Sequence, residues 1–244
     1  MKKLRCLIFF FALLGSSSLR AQIVPAWGGG ADLTDLSFGF SFQYVASDYK
    51  IVKNPNWRAP FLDPQTGKYV SDSLTSISSK ASAGFAIGFI TRYRITDHLE
   101  IRTTPSLTFA DRSVSYAYKT ASQNTSKQIQ STLVEFPLSL KLKSDRIGNF
   151  RAYVLGGVKY SQAIGRQPND ANEAPADKQL KNIQGYGSYE AGLGCDIYFE
   201  FFKLSPEIKI GNSFGNVMVK ENQPYAAPIS KLFLHTIMFS LYFE

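Results

Sequence analysis

The chain has 244 residues, with 27 Lys or Arg against 19 Asp or Glu, and only two His and two Cys. Aromatics make up 14% and charged residues 19%, which excludes intrinsic disorder, a state that needs few aromatics and a large net charge. Cys6 and Cys195 are too few for a disulfide scaffold or a Cys-rich zinc site, and His98 and His235 leave little for His-based metal or acid–base chemistry.

The chain opens with Met-Lys-Lys-Leu-Arg, an apolar run from Cys6 to Leu14, and small residues up to Ala21. A basic start, a short apolar core and a small-residue end read as a secretory signal peptide over 1–21, too short to span a bilayer as a helix. Cys6 lies inside the run and not at its end, so it is not a lipoprotein anchor. Cleavage after Ala21 removes Lys2, Lys3, Arg5 and Arg20 but no acid, so the net charge falls from +8 to +4. With that modest excess, no basic stripe and an export signal, nucleic-acid binding is excluded. Residues 22–35 are expected to form a periplasmic lead, with Gly28-Gly-Gly30 as flexible chain, since no Gly-Lys-Ser/Thr follows to make a phosphate loop.

From residue 36 to 244 the pattern is alternation, which places one set of side chains on each face of a strand. Leu36, Phe38, Phe40, Phe42 and Tyr44 form the first apolar stripe, interleaved with Ser and Gly. Ala83, Phe85, Ile87, Phe89, Thr91, Tyr93 and Ile95 form the second, opposite Arg92 and Arg94. Leu99, Ile101, Thr103, Leu107 and Phe109 oppose Glu100 and Arg102. Val134, Phe136, Leu138, Leu140 and Leu142 oppose Glu135, Lys141 and Lys143. Phe150, Ala152, Val154, Val158 and Tyr160 oppose Arg151, Tyr153 and Lys159. Tyr189, Ala191, Leu193, Ile197 and Phe199 oppose Glu190 and Asp196. Leu204, Ile208 and Ile210 oppose Glu207 and Lys209, and Phe233, Ile237, Phe239, Leu241 and Phe243 close the series.

Between these eight stripes, long connections near 47–79, 120–127, 162–184 and 215–230 alternate with turns at 96–98, 144–149 and 200–203. An even strand count with short turns at one end and long loops at the other predicts an all-β fold, an eight-stranded antiparallel outer-membrane β-barrel with both termini periplasmic. Strands of about 9–11 residues cross a hydrocarbon layer at a tilt, a length that every stripe but the seventh reaches. The competing fold is a soluble lipocalin-like barrel, apolar inside. Charges on the small-residue face of six strands weigh against it.

The inward set Arg92, Arg94, Glu100, Arg102, Glu135, Lys141, Arg151, Lys159, Glu190, Asp196, Glu207 and Lys209 reads as an ion-pair network filling a narrow lumen, ahead of paired carboxylates for acid–base chemistry. His235 falls on the apolar face near the loop end. Lipid-modifying barrel enzymes can use a His-x-Ser pair there, but the residue two beyond is Ile237, so a place in an interfacial girdle is expected. His98 reads as a solvated turn residue beside Asp97. Pro105, Pro137 and Pro206 are expected at bulges or positions needing no ladder donor, and Cys195 as a small packing residue. Trp57, Phe61 and Tyr69 in the first loop either form a binding surface or pack the loop on itself. No catalytic, cofactor-binding or metal-binding residue is expected.

Three stretches carry a family resemblance: Val134-Glu-Phe-Pro-Leu-Ser-Leu-Lys-Leu-Lys143 followed by Asn149 to Tyr160, Asp196 to Lys209, and the terminal Phe239-Ser-Leu-Tyr-Phe-Glu244. Together with Leu36 to Tyr44 they resemble the strands of the PorT family, while the loops carry almost none of the likeness. The Glu135-x-Pro137-Leu138 strand is shared with a broader barrel superfamily. The resemblance implies a non-enzymatic outer-membrane barrel needed by the type IX secretion system, which exports sorting-domain cargo such as proteinases and adhesins and in some bacteria supports gliding motility. It implies outer-membrane lipid and other type IX secretion components as partners, and neither cofactor nor small-molecule substrate. Two alternatives are an adhesion or host-interaction barrel working through its outer loops, and a lipid A-modifying barrel enzyme.

Overall fold

The computed structural model describes residues 34–165 and 173–244. The expected signal peptide and the Gly28–Gly30 run lie outside the described residues. Ten strand segments follow one another: β1 (Leu36–Lys53), β2 (Leu74–Lys80), β3 (Ser82–Arg94), β4 (Leu99–Thr103), β5 (Ser106–Tyr118), β6 (Thr125–Lys143), β7 (Phe150–Ile164), β8 (Gly185–Tyr198), β9 (Lys203–Ser213) and β10 (Ile229–Phe243). Because β5 pairs with both β2 and β3, and β6 with both β4 and β5, β2–β3 and β4–β5 are single staves with brief interruptions. Eight antiparallel staves result, and β1 pairs with β10 on one side and β3 on the other, closing the ring. Closure leaves no unpaired sheet edge where the wall meets lipid.

The short links are built from turn chemistry. Thr96 Oγ1 accepts from the backbone N–H of Leu99 at 3.0 Å in the 95–98 turn, and Gly148 takes φ +61° in the 144–149 turn, a region that costs an L side chain energy. His98 is less free than expected, because its Nδ1 meets the Lys143 carbonyl at 3.2 Å and ties the two turns together. Pro105 falls in the break between β4 and β5, where its missing N–H costs nothing while its carbonyl still accepts from Phe89 N–H at 3.0 Å. Pro137 and Pro206 sit inside β6 and β9 with register unbroken.

All eight apolar stripes face outward. Phe38, Phe89, Leu140, Val154, Leu193, Ile210 and Phe239 are exposed, while Arg92, Glu100, Lys141, Asp196 and Glu207 are buried inside. At the short-turn end, Phe40 stacks on Phe243 (5.1 Å) and Phe199 on Phe202 (4.7 Å), and Phe201 projects from the 199–202 turn. This is the aromatic girdle expected at a membrane interface.

The strands run farther than the stripes, and the seventh also reaches spanning length as Lys203–Ser213. At the loop end β1 continues to Lys53, β5 to Tyr118, and β6 begins at Thr125, so the first long connection shrinks to 54–73. Along β5 the inward positions change from Ser106 and Thr108 to Val114, Tyr116 and Tyr118, while the outward ones change from Leu107 and Phe109 to Asp111, Ser113 and Ser115. The faces exchange polarity at that level. Below it the outside is apolar and the inside charged, as in lipid; above it the outside is polar and the inside apolar, as in water.

Above the membrane band the ring opens. The β1–β3 ladder stops at Ser47–Ser82 and the β6–β7 ladder at Thr132–Ile164. The sheet β2–β5–β6 then faces β1–β10 across an apolar core containing Tyr49, Ile77, Val114, Tyr116, Leu133 and Leu232. Leu180 and the pair Val217–Met218 fold in from the two long outer loops to complete it. Asn216 fixes one of these loops, its side-chain oxygen accepting from Leu232 N–H at 2.8 Å. Each aliphatic or aromatic side chain buried here contributes roughly 1.5–3 kcal/mol.

Candidate functional site

The lumen is filled by side chains that bond from wall to wall. At the short-turn end Glu100 on β4 meets Arg92 on β3 at 2.8 Å and also bonds Lys143 on β6. Arg92 turns its Nε to the Glu244 carboxylate (2.7 Å), which Lys203 also binds at 2.9 Å. One level up, Lys141 on β6 holds Asp196 on β8 at 2.8 Å, and Ser205 donates to the same carboxylate at 2.6 Å. Lys141 lies 3.7 Å over the Tyr153 ring, a cation–π placement.

The longest reach is Arg102 on β4 to Glu207 on β9, across the lumen between staves that are not neighbours. Arg102 Nη2 donates to both Glu207 oxygens at 2.9 and 2.7 Å, and the Tyr153 hydroxyl donates to Glu207 at 2.9 Å. Arg102 also stands 4.4 Å over the Tyr242 ring. Space for these large groups comes from glycines on β8: a Cβ on Gly194 would lie 2.6 Å from Tyr153 Cζ and from the Pro206 carbonyl oxygen. Higher still, Glu135 binds Lys159, Ser161 and Thr108, each at 3.1 Å. Lys209 approaches Glu190 and Glu207 at 3.8 and 3.5 Å.

Charges inside a wall this narrow are tolerable only when paired and hydrogen-bonded. Of the twelve residues expected inside, eleven are buried there; Arg94 instead sits half-exposed at the rim, paired with Asp35 at 2.9 Å and Asp97 at 3.6 Å. Its strand ends at that level, where no opposite wall remains to face. The structure adds Lys203, Glu244 and Arg112 to the interior, together with Lys143, which the alternation already sets opposite the lipid-facing stripe of β6. The first two extend stripes by one in-phase step, a signal that was legible. Arg112 lies beyond the point where the outward stripe stops being apolar.

His235 is on the outer face at the level where polarity exchanges, its Nδ1 2.8 Å from Asn212 Oδ1, in a belt with Asp48 and Asp111. That is an interfacial position. Cys195 is a free thiol on the outward face of β8. Trp57 packs the first loop on itself, lying under Lys53 Nζ (4.1 Å) and beside Arg58 (5.0 Å) and against the outer core, whereas Tyr69 is 72% exposed. Among the described residues no group of three or more His, Cys, Asp or Glu is placed to hold a metal ion.

Solved structures similar to the chain include the outer membrane protein OprG from Pseudomonas aeruginosa, with 12% identity, 89% of this chain and 96% of that one covered, and a TM-score of 0.49. Neisserial surface protein A (NspA) shows 11% identity over 86% and 98%, with a TM-score of 0.42. The attachment invasion locus protein Ail of Yersinia pestis shows 11% over 86% and 99%, with a TM-score of 0.37. No curated protein sequence matches. A family profile described as "Outer membrane protein beta-barrel domain" matches residues 32–219, most of the chain. The chain therefore belongs to the outer membrane protein beta-barrel domain family, and the outer membrane is where it resides.

Proposed function

We propose that the protein is a non-enzymatic accessory of type IX secretion, of the PorT kind, which supports export without being the conduit. The observation that carries the accessory role is the Arg102–Glu207 bridge, which joins opposite walls inside a lumen already occupied by charged and aromatic side chains. A barrel of eight staves has an interior only wide enough to be filled, so neither a folded cargo nor an extended chain has a path. The resemblance of Val134–Lys143, Asn149–Tyr160, Asp196–Lys209 and Phe239–Glu244 to PorT strands supports the secretion role, and other components of that system are the partners it implies. Deleting the gene and assaying export tests this: sorting-domain cargo should accumulate in the periplasm, and normal export would discard the reading.

A second reading, adhesion through the outer face, is favoured by the head that stands beyond the membrane band with its own apolar core and with Tyr69 exposed. Intact secretion combined with lost surface attachment in the deletion strain would select it. For lipid A modification the candidate His235 faces Asn212, with Ile237 two residues on; an unchanged lipid A profile in the deletion strain is expected.

A further inference from the structure

Arg112 is a buried cation with no carboxylate at salt-bridge distance among the described residues. It is 2% exposed, and its Nη1 has no hydrogen-bond partner among the described residues. Its Nε reaches only Ser47 Oγ, at 3.4 Å. Its other polar neighbours are the phenols of Tyr49 and Tyr186 and, beyond salt-bridge distance, the Glu135 carboxylate, and the Tyr186 hydroxyl is likewise unsatisfied. Glu135 spends its oxygens on Lys159, Ser161 and Thr108. A buried guanidinium whose one nearby carboxylate is bonded to other groups is costly, and such a group in a cleft marks a site.

The cleft is there. β6 rises past the end of β7, and residues 179–184 cross the gap at a distance, leaving a cavity of about 360 Å³ that Arg112 and Tyr186 line. That volume falls at the small end of ligand pockets. Leu133, Ala163, Leu180 and Ile183 supply apolar wall. Thr132 and Ile164, also lining it, sit on the outer face one step above the pair Val134–Gln162 and two above the lipid-facing pair Phe136–Tyr160. The pocket thus runs sideways from a buried cation to the outer boundary of the hydrocarbon layer.

We propose that this pocket binds a single-chain amphiphile with a carboxylate head, the head on Arg112 Nη1 and the Tyr186 hydroxyl, the chain leaving over the last β6–β7 pair, Thr132–Ile164, toward the lipid. A guanidinium fork matches a carboxylate and supplies charge-assisted bonds. Lys181 also lines the pocket but is engaged by Glu221 at 3.1 Å, so the charge left for a ligand is Arg112's, which suits a monoanion better than a phosphate dianion, and the apolar part of the wall and the membrane-level mouth suit a tail. The site is independent of any role in secretion. It is a dead end, because the paired charges below it close the lumen.

The test uses carboxyl-13C decanoate with the purified full-length barrel in phosphatidylcholine nanodiscs, empty discs serving as the control. A saturable carboxyl resonance, one per barrel, should appear with a pKa below that of the lipid-partitioned acid. Arg112→Gln should weaken binding at least tenfold and abolish that pKa difference. Thr132→Trp, which blocks the mouth and leaves Arg112 in place, should have the same effect on affinity. Ser113→Ala, on the opposite face of β5, should change neither. Both pocket variants should show wild-type heat-modifiability, so lost binding cannot be assigned to misfolding. Binding that never saturates, or that survives in Arg112→Gln, overturns the proposal. Displacement of decanoate by dodecyl phosphate at less than a tenth of its concentration would assign the site to lipid phosphates and overturn the carboxylate class.

Discussion

Replacing Glu207 with Gln removes one charge from the bridge that spans the lumen and leaves Arg102 buried without its carboxylate. The Arg102 and Glu207 side chains are 2% and 0% exposed, so water cannot take over as a partner. Breaking one side of a buried pair costs about 3–5 kcal/mol, which at 1.4 kcal/mol per decade is roughly two to three and a half decades in the unfolding equilibrium. Removing both charges in Arg102→Met/Glu207→Met should return much of that loss, since an apolar pair of similar volume is often neutral. Arg102→Lys should not fully restore the bridge, because a lysine lacks the planar guanidinium that stands 4.4 Å over the Tyr242 ring. Urea titrations in lipid vesicles, read by the mobility shift between folded and unfolded barrel, give the double-mutant cycle. Strict additivity of the two single losses, with no recovery in the double variant, would refute the view that the two residues act as one unit.

Further predictions follow from the exchange of polarity along the staves. Leu140→Arg, on the lipid face of β6, should lower stability by about 2–4 kcal/mol and slow assembly, while Ser113→Arg, also outward but above the band, should be silent in the same gel. Lys141→Gln is expected to cost as much as Leu140→Arg, since Lys141 is fully buried against Asp196 at 2.8 Å. Leu232→Ala in the outer core should cost about 2–5 kcal/mol, the side chain being wholly buried. Asp72 is held below the usual carboxylate range by the Ser73 backbone N–H and the Thr120 hydroxyl. Its folded-state value is lower than its unfolded one, so its contribution to order in the 119–124 link is present at neutral pH and is lost as pH falls below the ordinary range near ~4. Amide-exchange protection there, corrected for intrinsic rates, should drop in acid for the wild type and lose that pH dependence in Asp72→Asn.

The membrane-embedded half was legible because lipid and lumen impose opposite demands on successive residues, so Phe38, Phe40 and Phe42 or Leu138, Leu140 and Leu142 declare their face at once. The extension beyond Phe109 was not, because at Asp111 and Arg112 the same period continues with its polarity exchanged, and a stripe followed by its apolar members ends there. Leu180, Val217 and Met218 sit in irregular loops with no period, so nothing local announces that they seal the outer head. The ion-pair partners are set at longer range: the alternation puts Arg102 and Glu207 inside, but only the ring closure sets β4 opposite β9.

Single-channel recording on the purified barrel in planar bilayers tests the closed lumen most directly. With Arg102–Glu207 and Lys141–Asp196 reaching across the lumen and Lys159–Glu135 filling it from neighbouring staves, almost no conductance is expected. Brief, small openings should appear only when the bridge is removed in Arg102→Ala/Glu207→Ala. Large, stable channels from the wild-type monomer would contradict it.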